Sequence, residues 1–296
     1  MKGCEILAGW LCSFPAMSRE MQASGRAAID SGFRQMVRDA APVIDATVAP
    51  LQYFLNRLEH AFTDTPWPIV FLGLLALVQW SGRSKRLTLG AAVALLLLGW
   101  LRLWEDTMVT LAMVAFATLA AIIIGLPLGV ASGRSDRLRA VLTPILDVMQ
   151  TLPSFVYLIP VVVVFGIGRV PGLIAVTFYA VPPLIRLTDL GLRSVPPELR
   201  QAAAGLGATP RQRLWRIDLP LALPGIMAGV NQTIMLALSM VVVASMVGVG
   251  GLGRNVLQAI NNQFFTAGVL NGLALVALAM IFDRTARAVA KRIDPR

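Results

Sequence analysis

Charge is scarce in this chain: Asp, Glu, Lys and Arg make up 14% of its 296 residues, against about 25% in a typical soluble domain. Histidine occurs once, at His60, and cysteine twice, at Cys4 and Cys12. That inventory excludes a zinc-spaced Cys/His cluster, a Cys–His catalytic pair and a disulfide framework. His60 lies in a polar stretch and reads as a solvated side chain. No G-x-x-x-x-G-K-[ST] run occurs, so no phosphate loop is encoded. The glycine-rich stretch Gly248–Gly253, GVGGLG, has no lysine and no strand before it. It reads as a tight turn or a close helix contact. Central aromatics are few (Phe155, Tyr157, Phe178), so no aromatic cage for an organic cation is evident.

Apolar residues are abundant, at 56%, and the mean hydropathy is +0.71. Length alone suggests about two soluble domains, but so few charges could not cover two globular surfaces. The composition fits an all-α, polytopic membrane protein. The excess of 26 Lys and Arg over 16 Asp and Glu gives a formal charge of +10. On a soluble chain that would suggest nucleic acid. On a membrane chain it marks basic loops beside anionic lipid headgroups, with no nucleic acid needed.

A helix needs about 20 apolar residues to cross the hydrocarbon core. Hydropathy picks out about seven candidates: Trp67–Trp80, Leu87–Leu103, Met108–Ala131, Ala140–Phe165, Val170–Leu187, Leu221–Val249 and Phe265–Phe282. The first is short enough to be a re-entrant piece, and Pro144, Pro153 and Pro160 interrupt the fourth. Trp67, Trp80, Trp100 and Trp104 bracket the first two, as headgroup-level rings do. The basic residues then set orientation. Of the 26 Lys and Arg, 17 fall in four alternate loops: around Arg83–Arg86, Ser132–Arg139, the long segment from Arg186, and the tail from Arg284. The opposite loops hold only Arg102, Arg169 and Arg254. The C-terminus is therefore expected in the cytoplasm and the N-terminus outside.

The implied division is an N-terminal extracytoplasmic or interfacial region 1–66, two accessory spans over 67–103, a transmembrane domain over 104–292 and a short tail 293–296. Within the first region, Asp39–Thr65 reads as an amphipathic helix lying on the membrane, with Val43, Val48, Leu51, Phe54, Leu55 and Leu58 on its apolar face. Residues 1–17 look vaguely like a leader peptide but lack a clean cleavage site. A true start at Met17 or Met21 is an equal alternative.

The cytoplasmic segment 188–220 is too polar for the membrane and too patterned for a loose loop. Pro196, Pro197 and Glu198 mark a helix start. The alanine-rich run that follows favours helix, and Gly207 ends it. Thr209 and Pro210 open a second helix carrying Arg211, Arg213, Leu214 and Trp215. Pro220 and Pro224 mark the return to the membrane. Two short helices with a small-residue elbow make a knob for a partner's groove, flanked by arginines for an acidic rim. An interfacial helix pair bound to lipid fits the same residues.

The spacing Gln201-Ala202-Ala203, three residues, Gly207, nine residues, Ile217, one residue, Leu219-Pro220 resembles the EAA loop of ABC importer permeases. Gln201 stands where that family usually has glutamate, which keeps the shape but drops the charge. The segments Asp147–Gly172 and Pro224–Gly253 further resemble the permeases of quaternary-amine importers, which carry glycine betaine, proline betaine or choline. The resemblance covers roughly Trp104–Arg292. It implies a type I importer permease, like that of the methionine importer, with a core of five helices. It implies a bacterial inner-membrane subunit that is not itself an enzyme and works as a homodimer. Two copies of a cytoplasmic ATPase would dock on the elbows through Gln201, Ala202, Ala203, Gly207, Arg211, Ile217, Leu219 and Pro220. A periplasmic or lipid-anchored binding protein would deliver the solute. The chain itself is expected to bind no metal and no cofactor, ATP and magnesium residing on the ATPase.

Ionisable groups inside a span usually face the bundle interior or a water-filled cavity. Asp147 is the carboxylate set well within an apolar segment. With Gln150, Thr151, Ser154 and Tyr157 it follows the spacing of one helical face, which Pro153 would bend. That face is a candidate border of the translocation path, the competing reading being an Asp147 paired to a loop arginine such as Arg186. The sixth span offers a second stripe: Gln232, Met235, Ser239, Val242 and Met246. Gln232, Ser239 and Met246 are the candidate cavity residues, since soft methionines re-pack around different solutes. Packing between helices is the ordinary role of such small and polar groups. Alternative solutes are trimethylamine N-oxide, carnitine or an amino acid. A secondary transporter is disfavoured, because no clear internal repeat or cluster of ion-coupling groups is visible. A membrane enzyme lacks clustered catalytic groups.

Overall fold

The computed structural model describes residues 17–293. Cys4, Cys12, most of the region read as a leader and most of the tail lie outside them. The chain divides into two units, Met1–Ala49 and Pro50–Arg296. The described part of the first is the solvent-exposed opening of helix α1, Arg19–Thr63. In the second unit the last turns of α1 carry Leu55, only 2% exposed, into the main core. Of the apolar face read from sequence, Phe54 and Val43 are exposed.

The helices that follow are α2, Trp67–Gly82; α3, Lys85–Trp100; α4, Trp104–Arg134; and α5, Asp136–Thr151. A 3₁₀ turn, Ser154–Tyr157, leads to α6, Leu158–Phe165, and then to α7, Arg169–Arg193. The elbow comprises α8, Pro197–Gly205, and α9, Pro210–Arg213. A π turn, Leu214–Asp218, feeds α10, Leu219–Ala244. The chain ends in α11, Leu252–Asn261, and α12, Phe265–Ile293.

Among the described residues, four helical stretches are long and apolar enough to cross a membrane alone: Trp104–Arg134, Arg169–Arg193, Pro210–Val247 and Phe265–Arg292. The count reaches six if each of two bent pairs is one span. The fourth span read from sequence is one of these pairs, α5 bent by 112° against the turn and helix after it. Proline is the cause. Pro153 has no N–H to continue the helix, and it pushes Leu152 to extended backbone at ψ 131°. Helices α2 and α3 have 16 residues each, about 24 Å at 1.5 Å per residue, short of the hydrocarbon thickness. They are joined at their turn by Thr88 Oγ1 donating to Gln79 Oε1 at 2.5 Å.

Helix α7 sits at the centre, with most of its residues buried between α4 and α10. Lipid tails are as apolar as leucine, so helix association here rests on close packing. On α4, Gly125, Gly129 and Gly133 recur every fourth residue and face Leu184, Thr188 and Leu192 of α7. A Cβ at Gly129 would lie 2.6 Å from Thr188 Cβ, so only glycine admits that approach. Helices α3, α11 and α12 share a smaller cluster around Leu95, Leu98, Leu252 and Ala274.

At the face opposite the elbow, Gly168 N–H donates to Val247 O at 2.8 Å. There the GVGGLG stretch turns with Gly248 at φ +101° and Gly251 at φ +84°. Leu252 N–H then donates to Thr110 Oγ1 at 2.9 Å. The stretch is thus both a tight turn and a close helix contact.

Candidate functional site

The elbow is built from local signals. Pro197 opens α8 with Pro196 as N-cap. At the other end Gly207 takes φ +78°. Its N–H donates to Ala204 O at 3.0 Å, and Ala208 N–H donates to Ala203 O at 3.0 Å. Those paired bonds satisfy the helix's last carbonyls as a glycine C-terminal motif does. Helix α9 starts with a reciprocal capping box: Gln212 N–H donates to Thr209 Oγ1 at 3.3 Å, and Thr209 N–H donates to Gln212 Oε1 at 2.9 Å.

Pro220 does not break the chain direction; helix runs on from Pro210 to Val247 over 38 residues. The π turn Leu214–Asp218 explains this. Leu219 N–H reaches back to Leu214 O, so the register slips by one residue just where Pro220 lacks a donor.

The structure brings the predicted elbow residues together as a projecting surface. Gln201, Ala202, Arg211 and Pro220 are exposed, Ile217 and Leu219 are half-buried, and Ala203 turns inward. A Cβ at Gly207 would meet nothing within 4 Å. Leu206, its neighbour in sequence, is 89% exposed, and Trp215 is 65% exposed.

What holds the knob was missed from sequence. Arg200 donates Nε to Asp218 at 2.9 Å and a terminal N–H to Leu192 O at 2.5 Å. Arg213 adds a longer ion pair to Asp218 at 3.8 Å. A second buried cluster sits one turn deeper. Asp189 receives Ser132 Oγ at 3.2 Å and Arg193 Nε at 3.1 Å, and Arg139 lies at 3.4 Å. Arg193 also reaches Asp136 at 2.6 Å and Ser132 O at 3.0 Å. The two clusters tie α8 to the end of α7, and α7 to α4 and α5. Asp218 is the unspecified residue between Ile217 and Leu219, and its burial becomes visible only in the fold.

The polar face of the fourth span does not survive the bend at Pro153. Asp147 is ion-paired to Arg186, with 57% of its side chain exposed. Gln150 is exposed and Ser154 half-buried. Tyr157, past the bend, is buried: its hydroxyl donates to Met149 O, and its ring stands edge-on to Tyr179 at 5.6 Å. Thr151 is exposed as well, so the five residues read as one stripe divide between an exposed side and a buried one. Of the α10 stripe, Gln232, Met235 and Ser239 lie exposed on that helix, Val242 is half-buried, and Met246 is exposed in the 3₁₀ turn Ser245–Val247 that follows it. Next to Gln232, α10 and α12 enclose an open cavity of about 580 Å³. Among the described residues no three His, Cys, Asp or Glu side chains are grouped as a metal site would need.

A sequence profile of the family described as "Binding-protein-dependent transport system inner membrane component" matches residues 121–295. The chain is 44% identical over 263 residues to the glycine betaine/proline betaine transport system permease protein ProW of Escherichia coli strain K12, covering 89% of this chain and 74% of that one. It is 44% identical to the glycine betaine/carnitine transport permease protein GbuB of Listeria monocytogenes serotype 1/2a, covering 77% and 81% respectively. Among solved structures, an inward-facing MetNI methionine ABC transporter chain superposes with a TM-score of 0.58 at 24% identity, over 62% of this chain and 93% of that one. That likeness is one of fold.

Proposed function

The chain belongs to the family of binding-protein-dependent transport system inner membrane components, and from that premise we propose that it carries a quaternary ammonium osmolyte by ATP-driven alternating access. It is a multi-pass ABC importer permease with an all-helical fold. The solute is glycine betaine, proline betaine or choline, as the names of its relatives suggest. The observation that carries the coupling half of the reading is the elbow: a projecting, doubly capped knob with the family's spacing, on a sequence without a phosphate loop. Hydrolysis then falls to a separate ATPase chain, which holds the ATP and magnesium. When two ATPases close, each elbow moves as a unit with the α7 end to which Arg200 ties it, and the spans rock to open outward. A binding protein releases the solute into the path, and hydrolysis restores the inward-open state.

The exposed α10 stripe supports a path at the meeting of two copies of this chain, with Gln232, Ser239 and Met246 along it. Orientation follows from two contacts. Arg169, in a sparsely charged loop, donates to Glu59 at 2.8 Å, which supports residues 50–66 lying on the external side. Arg292 donates to Trp80 O at 3.2 Å, which supports the end of α2 lying with the cytoplasmic tail.

The test is reconstitution with a matching ABC ATPase and binding protein, followed by radiolabelled uptake. ATP-dependent accumulation of glycine betaine, proline betaine or choline is expected. Failure to carry any of the three, with carnitine or trimethylamine N-oxide carried instead, would overturn the solute assignment. Gly207→Trp places a bulky ring where the notch is open, and loss of ATPase co-purification is expected. A Gly207→Trp complex that still assembles and couples hydrolysis to uptake would overturn the docking role.

A further inference from the structure

The cavity between α10 and α12 lies in the half of both helices nearest the elbow, and its walls are chemically uneven. Asp283 contributes a carboxylate that is 18% exposed. It accepts Asn231 Nδ2 at 2.8 Å and Arg287 Nε at 2.9 Å. Both bonds fall on Oδ1, and among the described residues none is donated to Oδ2. Asn231 Oδ1 is buried without a partner among the described residues. Met227, Met235 and Gln232 also line it. Arg287 spends only its Nε on Asp283, and its side chain is 70% exposed.

Asp283 lines the cavity and its Oδ2 takes no donor among the described residues, so a carboxylate oxygen is left for a cationic occupant. A primary ammonium would need hydrogen-bond acceptors on all sides. A methylated ammonium donates none and spreads its charge over its methyl groups. It is suited by carboxylate and amide oxygens set among polarisable thioethers. One turn away, the terminal nitrogens of Arg287 match a carboxylate. We propose that this cavity is a transient site for a compact methylated zwitterion, its ammonium against Asp283 Oδ2 and its carboxylate on Arg287. This rests on the osmolyte reading above and adds a permease site, with named residues, at which the solute pauses on the cytoplasmic side.

The test uses the complete permease–ATPase complex, with Cys4→Ser and Cys12→Ser and a single Ala228→Cys in the cavity wall. It is placed in bilayers of phosphatidylethanolamine and phosphatidylglycerol, so that no choline headgroup competes. A cationic methanethiosulfonate should modify the cysteine in the nucleotide-free state. Glycine betaine at about ten times its dissociation constant should slow modification about tenfold. Choline, which lacks the carboxylate, should protect less, Arg287→Gln should erase that difference, and Asp283→Asn should abolish protection by both. A labelling rate indifferent to glycine betaine would overturn the proposal. So would a cysteine unlabelled in every nucleotide state, which would mean a second copy or acyl chains cover the cavity. Wild-type uptake separates the two readings: uptake without protection removes the site alone, and no uptake of any methylated amine removes the osmolyte assignment.

Discussion

A carboxylate with 8% of its side chain exposed must be paired, and Asp218 is paired to Arg200 at 2.9 Å and to Arg213 at 3.8 Å. Removing one partner of a buried pair costs about 3–5 kcal/mol, because the other charge is stranded, whereas removing both can be nearly neutral. Arg200→Gln should therefore lower the thermal midpoint of the purified permease and loosen ATPase co-purification. Arg200→Gln with Asp218→Asn should recover most of both. A double variant no better than the single would mean the pair does not hold the elbow. Asp147 presents the opposite case. Its partner Arg186 is 38% exposed and Asp147 itself 57%, and exposed pairs contribute about 0–1 kcal/mol. Asp147→Asn should leave the thermal midpoint almost unchanged, so its uptake rate reads only whether Asp147 borders the path. Normal uptake would remove it. Hydropathy singled out Asp147 because its neighbours in sequence are apolar. It passed over Asp189 and Asp218 because theirs are charged, although those two are the buried ones. Burial of a charge is decided by the residues that fold onto it, which no local window contains.

Helix ends were the most legible part of the chain. Pro197, Gly207, Thr209 and Pro210 act through their own backbone, so their positions mark the elbow without any tertiary contact. Proline within apolar runs was harder to read. At Pro153 the chain bends by 112°, while at Pro220 it runs straight on. The difference is the π turn before Pro220, a one-residue slip with no composition of its own. The short helix α11 was also unread, since an amphipathic piece of 10 residues between two long spans looks like a loop. Two glycines separate backbone need from space. Gly207 has φ +78° with nothing within 4 Å of a Cβ, so Gly207→Ala should cost about 1 kcal/mol through its left-handed backbone alone. Gly251 has φ +84°, and its Cβ would lie 2.5 Å from Thr110 Oγ1. Gly251→Ala must add displacement of the α4–α11 contact. Its thermal midpoint should fall clearly further than that of Gly207→Ala, and equal shifts would mean the α4 contact yields freely.

Across the whole molecule, the asymmetry of basic residues and the three-dimensional contacts bear on the same question from different data. Loops rich in Lys and Arg stay in the cytoplasm, and 17 of the 26 fall on the elbow side if α2 crosses. Helices α2 and α3 are equally short, about 24 Å of helix against a core of about 30 Å, and the side on which residues 50–66 lie turns on α2. If it dipped back instead, residues 50–66 would join the elbow side, and nothing after α2 would change. The pair Glu59–Arg169 argues for crossing. Arg169 opens α7 beside the GVGGLG turn, at the end of the bundle away from the elbow, and Glu59 can reach it only from that side. The short span is then accommodated by local thinning of the bilayer and by Trp67 and Trp80 at its two ends. Single cysteines at Tyr53, Ile167 and Leu206, which are 56%, 77% and 89% exposed, test this in a background with Cys4 and Cys12 replaced. In intact cells with a permeable outer envelope, a membrane-impermeant maleimide should label Tyr53→Cys and Ile167→Cys. Leu206→Cys should react only after the inner membrane is opened. Labelling of Ile167→Cys without Tyr53→Cys would return α2 to a re-entrant piece. Labelling of Leu206→Cys in intact cells would invert the whole topology and detach the elbow from any cytoplasmic ATPase.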